Sequence, residues 1–74
     1  MNTSLRELNL NCKYVGTNGA TEIANVLQSN NTLRVLNLDS NHLYTGGVIK
    51  IAESLQSNIS LQILNLSRNN IDVD

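Results

Sequence analysis

Seventy-four residues suffice for one small domain, and a chain this short buries only a modest share of its unfolded surface, so extra staples would help it. None is encoded: Cys12 is the only cysteine, which excludes an internal disulfide, and no His/Cys cluster has the spacing of a structural zinc site. Five basic and six acidic side chains, interspersed, leave no electrostatic footprint for nucleic acid or an anionic membrane, and the apolar runs are far too short to span a bilayer.

Proline, phenylalanine and tryptophan are absent, while asparagine, leucine, serine and isoleucine abound. That balance suits a stacked coil, which repeats medium-sized aliphatics at fixed inward positions and uses asparagine to satisfy backbone groups in tight turns. Met1-Asn2-Thr3-Ser4 lacks the basic and apolar regions of a signal peptide. With one unpaired cysteine, the expectation is a cytoplasmic protein in a reducing compartment.

The first unit opens with Asn2-Thr3-Ser4 as the linker before a strand. In Leu5-Arg6-Glu7-Leu8-Asn9-Leu10, Leu8 and Leu10 fall on one side of an extended segment, with Glu7, Asn9 and Asn11 on the other. Thr17-Asn18-Gly19 then introduces a helix expected over roughly 19–28, with Ile23, Ala24 and Leu27 inward and Glu22, Asn25 and Gln28 outward. Thr17 or Asn18 is placed to cap its free amides. Ser29-Asn30-Asn31-Thr32 breaks the helix, since these side chains compete for backbone hydrogen bonds.

Leu33-Arg34-Val35-Leu36-Asn37-Leu38-Asp39-Ser40-Asn41-His42-Leu43 repeats the plan 28 residues later. A strand around 35–38 and a turn at 41–46 lead to a helix over roughly 47–56, with Ile51, Ala52 and Leu55 inward and Lys50, Glu53 and Gln56 outward. After another 28 residues, Leu61-Gln62-Ile63-Leu64-Asn65-Leu66-Ser67-Arg68-Asn69-Asn70-Ile71 supplies a third strand and turn before Asp72-Val73-Asp74. No third helix follows, which leaves Leu61, Leu64 and Leu66 without their expected cover. A fixed period of this size implies a solenoid. Its units are 5–32, 33–60 and a partial 61–74, within one domain over 1–74.

The main irregularity is Lys13, which stands where Asn41 and Asn69 stand in the later units. Asparagine there can bond the backbone of neighbouring coils internally, whereas lysine must send its ammonium to water. Lys13 thus reads as a terminal or degenerate turn, with a functional lysine as the alternative.

The motif Leu-x-x-Leu-x-Leu-x-x-Asn-x-Leu, followed by Gly and then Ile-Ala-x-x-Leu-x-x-Asn, resembles the ribonuclease-inhibitor-like leucine-rich repeats over nearly the whole chain. The resemblance implies an α/β, right-handed leucine-rich repeat solenoid, with three parallel strands on the concave face and two helices on the convex face. It also implies a non-catalytic protein-interaction scaffold, a fragment of a longer horseshoe, that binds a protein partner of unknown identity through Glu7, Asn9, Asn11, Val35, Asn37, Asp39, Ile63, Asn65 and Ser67. Arg6, Arg34, Cys12, Ser40 and Arg68 lie near the edges of that face. Alternatives are a fragment that regulates an enzyme, of GTPase-activating or nuclease-inhibitor type, and a structural or engineered unit that self-associates through uncapped ends.

Asn9, Asn37 and Asn65 fall on adjacent strands, about 4.8 Å apart, close enough for an amide ladder between them. Tyr14 and Tyr44 lie near the turns at non-equivalent positions, suited to packing on the rim or to anchoring a ligand. His42 and Cys12 have no partners that would make a metal or nucleophilic site, so no cofactor is expected. Asn-x-Ser/Thr tripeptides at Asn2, Asn30, Asn58 and Asn65 would accept glycans in a secreted protein. One on Asn65 would block the concave sheet.

Overall fold

A computed structural model describes residues 5–71. The linker at Asn2-Thr3-Ser4, the Asn2 glycan acceptor and the Asp72-Val73-Asp74 segment lie outside that range. Strand β1 (Glu7–Asn9), helix α1 (Gly16–Ser29), strand β2 (Val35–Asn37), helix α2 (Tyr44–Ser54) and strand β3 (Ile63–Asn65) follow in order. The strands form one parallel sheet in the order β1-β2-β3. Glu7 lies opposite Val35 and Val35 opposite Ile63, while Asn9, Asn37 and Asn65 form a second row.

The leucines between those rows point the other way, toward the helices. Leu33, Leu36, Leu38 and Leu43 join Ala20, Ala24, Leu27 and Ile51 in one buried cluster. Strands pack about 5 Å apart whereas helices need 8–10 Å, so small residues are required where α1 meets α2. Gly47 meets that need: a Cβ there would lie 3.1 Å from Ala20 Cβ and 3.2 Å from Leu43 Cβ.

Three local expectations are corrected. Both helices begin three residues earlier than their sequence pattern indicates, at Gly16 and Tyr44. Thr17 is therefore not a cap; it sits inside α1, where its Oγ1 donates to the Leu43 carbonyl of the next coil at 3.0 Å. The early helical amides are satisfied by the neighbouring turn instead. Val15 N–H donates to Asn41 Oδ1 (3.2 Å) and Gly16 N–H to the Asn41 carbonyl (2.9 Å). Asn69 does the same for Leu43 (3.3 Å) and Tyr44 (2.8 Å).

The third correction concerns Ala52. It is exposed, although its counterpart Ala24 is buried. Ala24 is covered by α2, and among the described residues no helix lies beyond α2 to cover Ala52; Leu55 is half-buried for the same reason. The outward set, Glu22, Asn25, Gln28, Lys50, Glu53 and Gln56, is exposed as expected. The uncovered leucines also behave as expected, with Leu61, Leu64 and Leu66 half-buried.

Two asparagine ladders lock coil to coil. In the turn ladder, Asn41 Oδ1 accepts from the Lys13 N–H at 2.8 Å while its Nδ2 donates to the Leu10 carbonyl at 2.8 Å. Asn69 repeats this one coil on, accepting from Asn41 N–H (2.8 Å) and donating to the Leu38 carbonyl (2.9 Å). Behind the helices, Asn58 Nδ2 donates to the carbonyls of Leu27 and Asn30, and its Oδ1 accepts from the amides of Ser60 and Leu61. The two Asn69 bonds are buried and the others half-buried, and a backbone group left unpaired in a buried place would cost about 1–3 kcal/mol. Lys13 is exposed, and among the described residues no earlier coil presents amides to it.

Candidate concave interaction face

Because side chains alternate along a strand, the residues flanking Leu8, Leu36 and Leu64 all emerge on the face away from the helices. Parallel pairing then sets them in rows. The first is Glu7, Val35 and Ile63, and the second is Asn9, Asn37 and Asn65. The next positions along are Asn11, Asp39 and Ser67, joined through the adjoining backbone by Cys12 N–H to the Asp39 carbonyl and Ser40 N–H to the Ser67 carbonyl. All nine residues expected on this face thus stand at equivalent places on successive coils.

Their availability differs. Glu7, Asn9, Asn11, Ile63 and Ser67 are exposed, and Val35, Asn37 and Asn65 are half-buried. Asp39 is buried, at 6% exposure. Its carboxylate is already engaged: Arg68 Nε donates to Oδ1 at 3.0 Å, Arg68 Nη2 reaches Oδ2 to complete a fork, and Ser40 Oγ donates to Oδ1 at 3.2 Å. The Arg68 hydrogen bonds hold the Asp39 carboxyl below its ordinary range, with Ser40 and the Arg68 charge acting in the same direction against the cost of burial. The pairing raises Arg68 in turn. Asp39 therefore braces the second coil to the third instead of offering a free charge.

The expected amide ladder across Asn9, Asn37 and Asn65 does not form. Each Oδ1 instead accepts from the backbone two residues on, at Asn11, Asp39 and Ser67, each at 2.9 Å. This closes the turn after each strand, a local bond that short asparagine side chains favour over a contact across strands. The Nδ2 groups make no hydrogen bond among the described residues.

Along the other edge, Arg6 and Arg34 occupy equivalent positions on adjoining coils, with the Arg34 N–H bonded to the Arg6 carbonyl at 2.7 Å. Arg6 Nη1 donates to the Thr32 carbonyl and Arg34 Nη1 to the Ser60 carbonyl, each at 3.3 Å. Among the described residues neither meets a carboxylate, and Arg68 with Asp39 is the one salt bridge.

At the turns, Tyr14 stacks on His42 with ring centroids 5.6 Å apart and planes 9° from parallel, and Tyr44 lies tilted against the same imidazole at 6.3 Å. This ridge was not foreseen as a unit, although the repeat carries the signal, since Tyr14 and His42 are 28 residues apart. All three residues have left-handed backbone, as do Cys12, Ser40, Arg68 and Asn70. The conformation recurs at matching places in each turn, and Tyr44 occupies the place taken by Gly16 one coil earlier.

Away from this face, Leu8, Ile23, Val26, Leu27, Leu33, Leu36 and Glu22 line an apolar cavity of about 190 Å³ between the sheet and α1. Among the described residues no group of three or more His, Cys, Asp or Glu side chains converges to hold a metal ion, and no helix is long and apolar enough to cross a membrane.

Comparison with known families agrees with this architecture. The sequence model described as Leucine Rich repeat matches three successive stretches, residues 2–24, 29–52 and 57–74. No curated protein matches the chain, and no solved structure does.

Proposed function

The chain belongs to the leucine-rich repeat family, whose repeats generally serve protein–protein interaction without catalysis, and from that premise we propose that it is an interaction scaffold binding a protein partner through the concave sheet. The observation carrying this reading is the register: Glu7, Val35 and Ile63 stand in one row beside Asn9, Asn37 and Asn65 in another. Such rows offer a partner contact points at the strand spacing on a rigid surface. Ile63, 59% exposed, and Val35 supply apolar contact within it.

The Leu-x-x-Leu-x-Leu-x-x-Asn-x-Leu pattern supports the ribonuclease-inhibitor-like subtype, and the strong preference of parallel crossovers for one hand supports a right-handed coil. An exposed, unpaired Cys12 is in keeping with an intracellular setting.

Selection of binders from a displayed library of protein fragments tests the scaffold reading. Val35→Thr with Ile63→Thr keeps β-branched strand propensity but cuts apolar contact, and is expected to weaken selected binders about tenfold. Lys50→Gln and Glu53→Gln, on the convex side, should leave binding unchanged. Binding indifferent to the concave pair, or lost with the convex pair, would overturn the assignment.

A second reading is association between copies through the third coil, favoured by the half-buried Leu61, Leu64 and Leu66 and by Ile71, 44% exposed. Light scattering over a range of concentrations tests it, since a constant monomer mass rules it out.

A further inference from the structure

The hydrogen-bonding capacity left open on the concave face is lopsided. Asn9, Asn37 and Asn65 each commit Oδ1 to the backbone two residues on, which orients each amide and leaves Nδ2, a donor, without a partner among the described residues. Those Nδ2 atoms retain access to solvent, because the one buried side-chain polar atom lacking a partner among the described residues is Thr32 Oγ1. The Asp39 carboxylate, the acceptor in the middle of the face, is occupied by Arg68 and Ser40. At the edge, Arg6 and Arg34 each use Nη1 on a loop carbonyl. A guanidinium carries five N–H donors, so most of each fork stays open, and the two stand one residue before β1 and β2 on adjoining coils, with no salt-bridged carboxylate among the described residues.

We propose that this face takes an extended, acidic segment of a partner protein, with Arg6 and Arg34 receiving its carboxylates and the asparagine row donating to its carbonyl oxygens. The inference rests on the concave face being the binding face and adds the chemistry of what it binds. Charge complementarity identifies the occupant. A basic segment would meet two guanidiniums and a row of donors, with Glu7 as the single free carboxylate of the rows, whereas an acidic one pairs with both arginines in the forked geometry that guanidinium and carboxylate share. Each loop-carbonyl bond, at 3.3 Å, ties one Nη1 to the loop at the edge and leaves the other donors of the fork facing outward for a carboxylate.

A random peptide library displayed against the full 74-residue chain, with binders mapped by amide shifts of isotope-labelled protein, tests this. The expected result is enrichment of aspartate and glutamate, shifts centred on the Asn37 and Asn65 side-chain amides, and affinity that falls with added salt. Arg6→Gln with Arg34→Gln should weaken a selected acidic peptide about tenfold, Glu7→Gln should strengthen it, and Lys50→Gln should leave it unchanged. Circular dichroism of each variant verifies that the fold is retained. Neutral or basic peptides that map to the concave face would overturn the acidic preference and leave the face itself standing. Peptides that map elsewhere, or no binders at all, would overturn both.

Discussion

The strand leucines of the second coil and of its two neighbours stand in matching positions, yet only those of the second are fully buried. Leu36 is fully buried, while its equivalents Leu8 and Leu64 are half-buried. Leu38 is likewise inaccessible and Leu10 and Leu66 are not. The difference lies in the neighbours and not in the side chains: a strand leucine of the second coil is covered on both sides by adjoining strands, and an outer one on a single side. In a solenoid a residue's energetic weight is thus set by its place in the stack, because stability sums the interfaces between adjacent repeats.

Paired substitutions sharpen this contrast. Leu36→Ala should cost about 3 kcal/mol, since it truncates a fully buried side chain, whereas Leu64→Ala should cost about half as much; urea midpoints monitored by circular dichroism report both. If the two costs are equal, burial does not rank the coils. The turn ladder provides the next test. Asn41→Ala removes the acceptor for Lys13 and Val15 amides and the donor to the Leu10 carbonyl, and is expected to cost about 2–3 kcal/mol. Lys13→Ala, at the equivalent exposed position of the first coil, should change stability by less than about 0.5 kcal/mol.

Smaller effects come from the helix contact. Gly47→Ala drives a methyl into Ala20 and Leu43 and should destabilise by about 1–2 kcal/mol. Gly46→Ala, one residue away, meets only Thr17 Cγ2 at 3.8 Å. It should stabilise by about 0.5 kcal/mol through the better helix propensity of alanine. Opposite signs at adjacent glycines would show that α1 and α2 touch as described.

The smallest effect concerns the brace between the second and third coils. Asp39 titrates lower in the folded chain than in the unfolded one, where its value is about 3.9. The unfolded chain therefore takes up its proton first on acidification. The contribution of Asp39 is complete above the unfolded value and is lost as pH falls below it through the folded value. Asp39→Asn should lack this component. The gap between wild type and Asp39→Asn in urea midpoint should accordingly be larger at pH 7 than at pH 2.5, and a gap independent of pH would dismiss the brace as a source of stability.

Much of this protein was legible before any coordinates. The recurrence of Leu5, Leu33 and Leu61 with their following leucines fixed the number of strands, their inward faces and the nine residues on the outward face, since strand periodicity depends on sequence alone. The role of Asn41 and Asn69 as links between coils was equally readable, because a buried asparagine at a turn must find backbone partners. What the sequence could not show was which equivalent groups compete for one another. The helices start early because the first amides of each are satisfied by the next coil's asparagine, a tertiary bond with no local marker. Ala52 is exposed while Ala24 is not, since one has a neighbouring helix and the other lacks one among the described residues. Asp39, which pattern places on an open face, is turned into a brace by Arg68 from the adjoining coil. Periodicity is a property of one chain segment and can be read from it. Burial and pairing depend on what the rest of the stack brings alongside, and the tertiary structure alone decides that.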